Sequence, residues 1–303
     1  MAFISQNSGI AASVFLSLYV IYTAFAIKVV YEKGWKSIYT SLLIYGILRT
    51  AGQLCGVAFA ALGYSHYQWL IAYLVFSAEG YFVLILTSFH LIAQAQIAVY
   101  GDSWIRPTRQ KRKENIRNAT TLREKVRARY PPALVFHLLL IPANSLIIVG
   151  GSILAGQDPL NPDQKKVTLS KALRTSGQVV FLTQTFIAIG LAVYVFVKER
   201  LRHSNIYSIF MVSPFILVRG IFGVLSIYIQ KMNYFDMSNY TATGLSESFV
   251  AFEYVLATTM EFISACIYIG NYYFDSRYTA KVTNAEEGEG LYEKDTDSNQ
   301  KIH

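Results

Sequence analysis

The chain of 303 residues is 53% hydrophobic and 15% aromatic but only 15% charged, against roughly 25% charged for a soluble domain, so composition turns the reading toward a membrane protein. Its net charge of +8 sits between apolar runs rather than on a helix face built to reach bases, which sets nucleic-acid binding aside. Cys55 and Cys266 both lie inside apolar runs, which excludes a structural disulfide between extracellular loops.

Seven apolar segments follow one another, near Ser8 to Tyr31, Ile38 to Leu62, Trp69 to Ala93, Pro132 to Ala155, Gly177 to Val197, Ile206 to Gln230 and Ser248 to Phe274. Each is close to the ~20 residues that a helix needs to cross about 30 Å of hydrocarbon. The fifth is the shortest, and the third has an apolar continuation to Tyr100. The leader MAFISQN lacks a basic residue and the first run exceeds a signal-peptide core, so the first segment reads as a retained span. The expected fold is all-α, a seven-transmembrane helix bundle over residues 1–274. Residues 275–303, with Glu286, Glu287, Glu289, Glu293, Asp295 and Asp297, read as a disordered acidic tail.

Orientation follows from lysine and arginine. The connections after spans one, three and five, with the tail and span flanks such as Lys28, hold 20 of the 27 basic residues, and those after spans two, four and six hold five. The positive-inside rule then places the amino terminus outside and the carboxyl terminus in the cytoplasm. The connection Gly101 to Tyr130 carries Arg106, Arg109, Lys111, Arg112, Lys113, Arg117, Arg123, Lys125, Arg127 and Arg129 against Asp102, Glu114 and Glu124, a net +7. Beside a cytoplasmic leaflet such a stretch is expected to meet anionic lipid, at about 1 kcal/mol per basic residue near the surface. Ile116, Ala119, Leu122 and Val126 recur in it at near-helical spacing, as in an interfacial helix. Asn239-Tyr240-Thr241 is an N-glycosylation acceptor pattern on the expected exterior, and Asn118-Ala119-Thr120 is the same pattern on the cytoplasmic side.

Charges inside the spans are the informative residues, because a charge in hydrocarbon is costly without a partner or a wet cavity. Counting 1.5 Å per residue from each entry point puts Arg49, Glu79, Arg219 and Glu261 near the midplane and Glu253 nearer the outer face. A midplane polar cluster of these four is expected, with Gln53 one turn from Arg49 and Glu253 above it. Pro214 precedes Arg219 by five residues and Pro142 precedes Asn144 by two, and each removes a backbone donor inside a span. Gly52, Gly56 and Ala60, and Gly151 with Ala155, offer small faces for close helix contact.

Several chemistries lack their residues. The seventh span holds no lysine for a retinal Schiff base. His66, His90, His137, His203 and His303 form no tight ligand motif, and neither a phosphate loop nor a Gly-x-Ser-x-Gly elbow occurs. No metal site, cofactor or enzymatic activity is expected.

Leu217-Val218-Arg219-Gly220-Ile221-Phe222, followed by Glu253-Tyr254 and Met260-Glu261, resembles uncharacterised seven-helix integral membrane proteins of filamentous fungi. It is more distantly similar to the fungal lipid-translocating exporter group associated with aminocholesterol resistance. That group shows a second arginine four residues after the first and an acid three further on, where this chain has Gly223 and Ser226. The resemblance implies a membrane protein with Arg219 and Glu253 as matching positions. The functional expectation is a protein that binds or moves an amphipathic lipid-like small molecule through the midplane cluster, with Arg49 and Arg219 addressing an anionic headgroup. The alternatives are a receptor-like seven-helix protein signalling through residues 101–130 and a structural scaffold.

Overall fold

Long runs of Leu, Ile, Val, Ala and Phe leave the backbone to satisfy its own hydrogen bonds, and in hydrocarbon a helix is the local way to do so. The computed structural model describes residues 3–154, 163–241 and 244–274, and the helices in them are α1 (Gln6–Lys33), α2 (Tyr39–Leu62), α3 (Gln68–Tyr100), α4 (Arg109–Asn118), α5 (Leu122–Arg129), α6 (Pro132–Ser152), α7 (Gln164–Lys198), α8 (Ser204–Tyr228) and α9 (Glu247–Phe274). Seven of them, all but α4 and α5, are long and apolar enough to cross a membrane. The architecture is all-α apart from a short ribbon, in which β1 (Tyr240–Thr241) pairs antiparallel with β2 (Gly244–Leu245) in the register Tyr240↔Leu245 and Thr241↔Gly244.

Sequence and structure differ at the fifth span and at the basic connection, and agree on the extension of the third span. The fifth span is the longest helix, 35 residues, because Asp163 caps the backbone N–H of Lys165 and the polar stretch from Gln164 is helical too. The third span does continue to Tyr100, where Gly101 takes the left-handed conformation (φ 73°) that closes the helix onto the Ile97 carbonyl. The basic connection is two helices rather than one. Thr121 caps α5 by accepting from the Glu124 N–H, while the Glu124 carboxylate accepts from the Thr121 N–H, so the chain turns between Asn118 and Leu122. The acidic tail and Ala155 lie outside the described residues.

The helix α3 is the central post, touching α2, α6, α7 and α8, while α1 packs on α2 and α7 lies between α6 and α8. The core is rich in hydroxyl-bearing rings. Tyr19, Tyr22 and Tyr45 meet edge to face around Phe262, and the Tyr19 and Tyr45 hydroxyls are 3.0 Å apart. Outward faces are apolar instead, with Ile21, Phe25, Leu54, Phe186 and Met211 exposed. That surface distribution is compatible with a multi-pass protein embedded in hydrocarbon.

The two ends differ in construction. At one end, residues from the α8–α9 connection fold down over the helices, and Leu245 N–H donates to Ser5 Oγ at 3.2 Å. At the other, Glu199 just beyond α7 ties the basic connection to the bundle. Its carboxylate accepts from Gln96 Nε2 and Trp104 Nε1, each at 2.7 Å, and its carbonyl accepts from the Tyr100 hydroxyl at 2.6 Å.

Candidate functional site

Three charged side chains from three helices meet at the centre of the bundle. Glu261 of α9 accepts from Arg219 Nε of α8 at 2.5 Å, and its other oxygen lies 3.3 Å from Arg49 Nε of α2. The second contact is too far off line to be a hydrogen bond and acts as a Coulombic pairing. Arg49 Nη1 donates to Ser77 Oγ at 3.0 Å, and its guanidinium lies 5.4 Å from the centre of the Tyr19 ring. Arg219 in turn stands 4.9 Å from the Tyr81 ring centre. All three charges are buried, so one carboxylate serves two guanidiniums and the triad alone carries one excess positive charge.

The approach depends on Gly80. A Cβ there comes within 2.6 Å of Arg49 Cδ and 3.1 Å of Glu261 Oε2. The arginine crosses the face of α3 only because that position has no side chain.

Glu253 supplies a second acid on the same helix as Glu261. Eight residues of ideal α-helix place two side chains roughly 80° apart around the axis. Between them Glu253–Thr259 forms a π-helical turn, and the one residue it absorbs reduces that offset to about 20°. Both acids therefore face inward. Glu253 accepts from the Tyr73 hydroxyl at 3.2 Å, and Thr259 Oγ1 donates to the Tyr254 carbonyl five residues back at 2.7 Å.

Of the expected cluster, Arg49, Arg219 and Glu261 are in direct contact. Gln53 is buried beside them and accepts from the Tyr254 hydroxyl at 3.4 Å. Glu79 does not join. It falls on the stripe of α3 next to Gly80, is half-buried, and accepts from Asn144 Nδ2 of α6 at 2.5 Å. Depth along a span follows from residue count, but direction around it requires knowing which neighbour each face meets.

A cavity of about 100 Å³ opens off the cluster toward the end of the bundle opposite the basic connection. Its charged walls are Arg219, Glu253 and Arg174, and its polar and aromatic lining includes Gln178, Ser226, Tyr234 and Phe235. Arg174 escaped the sequence reading, which placed it in a loop before the fifth span. It sits within α7, 8% exposed, with its guanidinium 4.5 Å from the Phe235 ring centre. Among the described residues it makes no ion pair, and its Nη1 has no hydrogen-bond partner. Gly150 of α6 lets it pass, since a Cβ there comes within 2.8 Å of Arg174 Cγ. Gln178, one turn on, leaves its Oε1 without a donor. Gly223 makes room for that oxygen, and Gly223 and Ser226, where the exporter pattern has charges, are cavity wall instead.

The small residues divide similarly. Gly52 and Gly56 do receive neighbours from α3, Phe76 at 3.1 Å and Tyr73 at 3.3 Å from an added Cβ. Gly151 meets only Phe235 and belongs to the cavity, while the tight α6–α7 contact is made at Gly177 against Ala143 and Ile147. Asn239 is 3% exposed, and its Nδ2, the atom that bears a glycan, donates to the Gln230 carbonyl at 2.5 Å and the Asn233 carbonyl at 2.9 Å. The folded chain therefore does not present Asn239 as an acceptor. His90 stacks near His137, ring centres 5.2 Å apart, and no group of three or more metal-ligating side chains is found among the described residues.

This geometry defines a seven-helix membrane-type bundle with a buried three-helix ion cluster and an adjoining polar cavity. No protein-family model, curated protein or solved structure matches the chain.

Proposed function

We propose that this chain is an integral membrane protein that binds an amphipathic anion in the cavity and carries it between leaflets, with the amino terminus outside and the carboxyl terminus in the cytoplasm. The observation that carries the reading is Arg174, a buried guanidinium with no acid paired to it among the described residues, aimed into a space walled by apolar α3 and α6 residues. An isolated buried charge is costly, and a bound anion removes that cost. The apolar wall, which includes Ile71, Leu74 and Ile148, suits an attached tail. The orientation is supported by the collection of Lys33, Lys36, the α4–α5 hairpin and Arg202 at connections that share one end. There the hairpin exposes Ile116, Leu122 and Val126 beside its arginines, a surface suited to an anionic leaflet.

The test is titration of purified protein in nanodiscs with a fluorescent long-chain carboxylate. Saturable binding is expected, and Arg174→Met should weaken it at least tenfold, about 1.4 kcal/mol. Binding that is non-saturable, or equal in the variant, removes the reading. A receptor role has one observation in its favour: α7 carries Arg174 near one end and leads at the other into Glu199, which holds the basic connection. In that case deleting Lys111 to Arg129 leaves binding intact and abolishes the cellular response.

A further inference from the structure

Resting on that reading, we infer that the cavity selects a singly charged headgroup bearing an adjacent hydrogen-bond donor, and that Glu253 is the built-in counter-ion that sets this selectivity. Arg174, Arg219 and Glu253 line the space, and behind Arg219 the Glu261 carboxylate is paired with it and with Arg49, adding no net charge. Glu79 stands outside this set, facing Asn144 and absent from the cavity wall. With every group ionised the site carries one positive charge, and in a low-dielectric interior the occupant that cancels it is favoured over one that overshoots.

The charge is localised as well as counted. Arg219 is committed to Glu261 at 2.5 Å, so turning it toward a ligand breaks the shortest ion contact in the core. Glu253 is held at the cavity wall by the Tyr73 hydroxyl. Among the described residues Arg174 makes no ion pair, and beside it the Gln178 Oε1 awaits a donor. A headgroup with one anionic oxygen and a neighbouring N–H or O–H satisfies both, as an N-acyl amino acid does. A second negative charge on the ligand instead meets the Glu253 carboxylate across the same cavity.

Competition against the fluorescent carboxylate in nanodiscs at pH 8 tests this with three ligands of equal tail length. They are N-dodecanoylglycine, one charge with an amide N–H; dodecanoate, one charge and no donor; and dodecyl phosphate, largely two charges because its second ionisation lies near pH 6. The wild-type protein should rank them in that order, with the phosphate at least about tenfold weaker than the glycine conjugate. Glu253→Gln should raise phosphate affinity relative to dodecanoate, and Gln178→Leu should erase the advantage of the glycine conjugate. A phosphate bound as tightly as the singly charged ligands by wild-type protein overturns the inference, as does a Glu253→Gln variant with an unchanged ranking. If the fluorescent carboxylate binds but the order is reversed, the cavity reading stands and only the selectivity falls. If it does not bind at all, both fall.

Discussion

Replacing Glu261 with glutamine keeps the size of the side chain and deletes the one charge that two arginines share. At an effective dielectric of about 20, unit charges 4 Å apart interact by about 4 kcal/mol, and Glu261 holds Arg219 at 2.5 Å and Arg49 at 3.3 Å. Against the loss of both attractions stands the relief of the acid's own desolvation, several kcal/mol. The remainder agrees with the ~3–5 kcal/mol lost when a buried pair loses one member, and here two like charges are left facing each other. Total stabilities run to only about 5–15 kcal/mol, so Glu261→Gln is expected to lower the apparent melting midpoint on the order of 10 °C. The assay is thermal unfolding of purified protein in one detergent at one scan rate, followed by intrinsic fluorescence. Glu261→Gln combined with Arg49→Met removes one stranded charge and should recover part of the loss. A single variant that melts with the wild type, or a double variant less stable than the single, would show that the shared carboxylate does not hold the helices together.

Four further outcomes follow. Gly80→Ala forces a methyl against Arg49 Cδ, at 2.6 Å without relaxation, and should cost about 1–3 kcal/mol by the same melting assay. Arg174→Met should do the opposite and leave the midpoint equal or higher, since a buried charge without a partner carries a desolvation cost that an apolar side chain does not; a clear loss of stability counts against an uncompensated charge. The Glu124 carboxyl is held below its ordinary 4.5, first by the Thr121 backbone N–H and then by Thr120. Its contribution to α5 is therefore present above pH 4.5 and lost as the pH falls through the lower folded value, which hydrogen-exchange protection over residues 122–129 reports, with Glu124→Gln showing no such step. Asn239→Gln breaks two carbonyl contacts worth about 0.5–1.5 kcal/mol each, and glycosidase treatment of wild-type protein should leave its mobility unchanged.

The spans were legible because apolar length is a one-dimensional property, and hydrocarbon thickness reads it directly. The α7 start was hidden by the same criterion, since Lys165, Lys166, Lys171 and Arg174 read as a loop when hydropathy alone is followed. A signal was nevertheless present. Arg174, Gln178, Phe181, Thr185 and Ala188 recur every three or four residues and are all buried, so a polar stripe ran into the apolar one on a single helical face. Arg49, Arg219 and Glu261 were found by depth, while Glu79 was misplaced because neighbouring positions on α3 point about 100° apart. The π-helical turn left no trace in composition, and only the two inward-facing acids reveal it.

That turn also gives the seventh span an unusual tolerance for a change in length. Removing one residue from an ordinary membrane helix rotates everything beyond it by about 100° and misaligns every contact. Removing one residue within Glu253–Thr259 instead lets the backbone relax to regular α geometry, so that 260–274 keeps its seat and Glu261 its arginines. The segment before it keeps its direction too, because seven α-helical residues return to within about 20° of the same face, so Glu253 stays turned toward the cavity. A one-residue deletion is thus tolerated within this turn and disruptive one turn to either side of it.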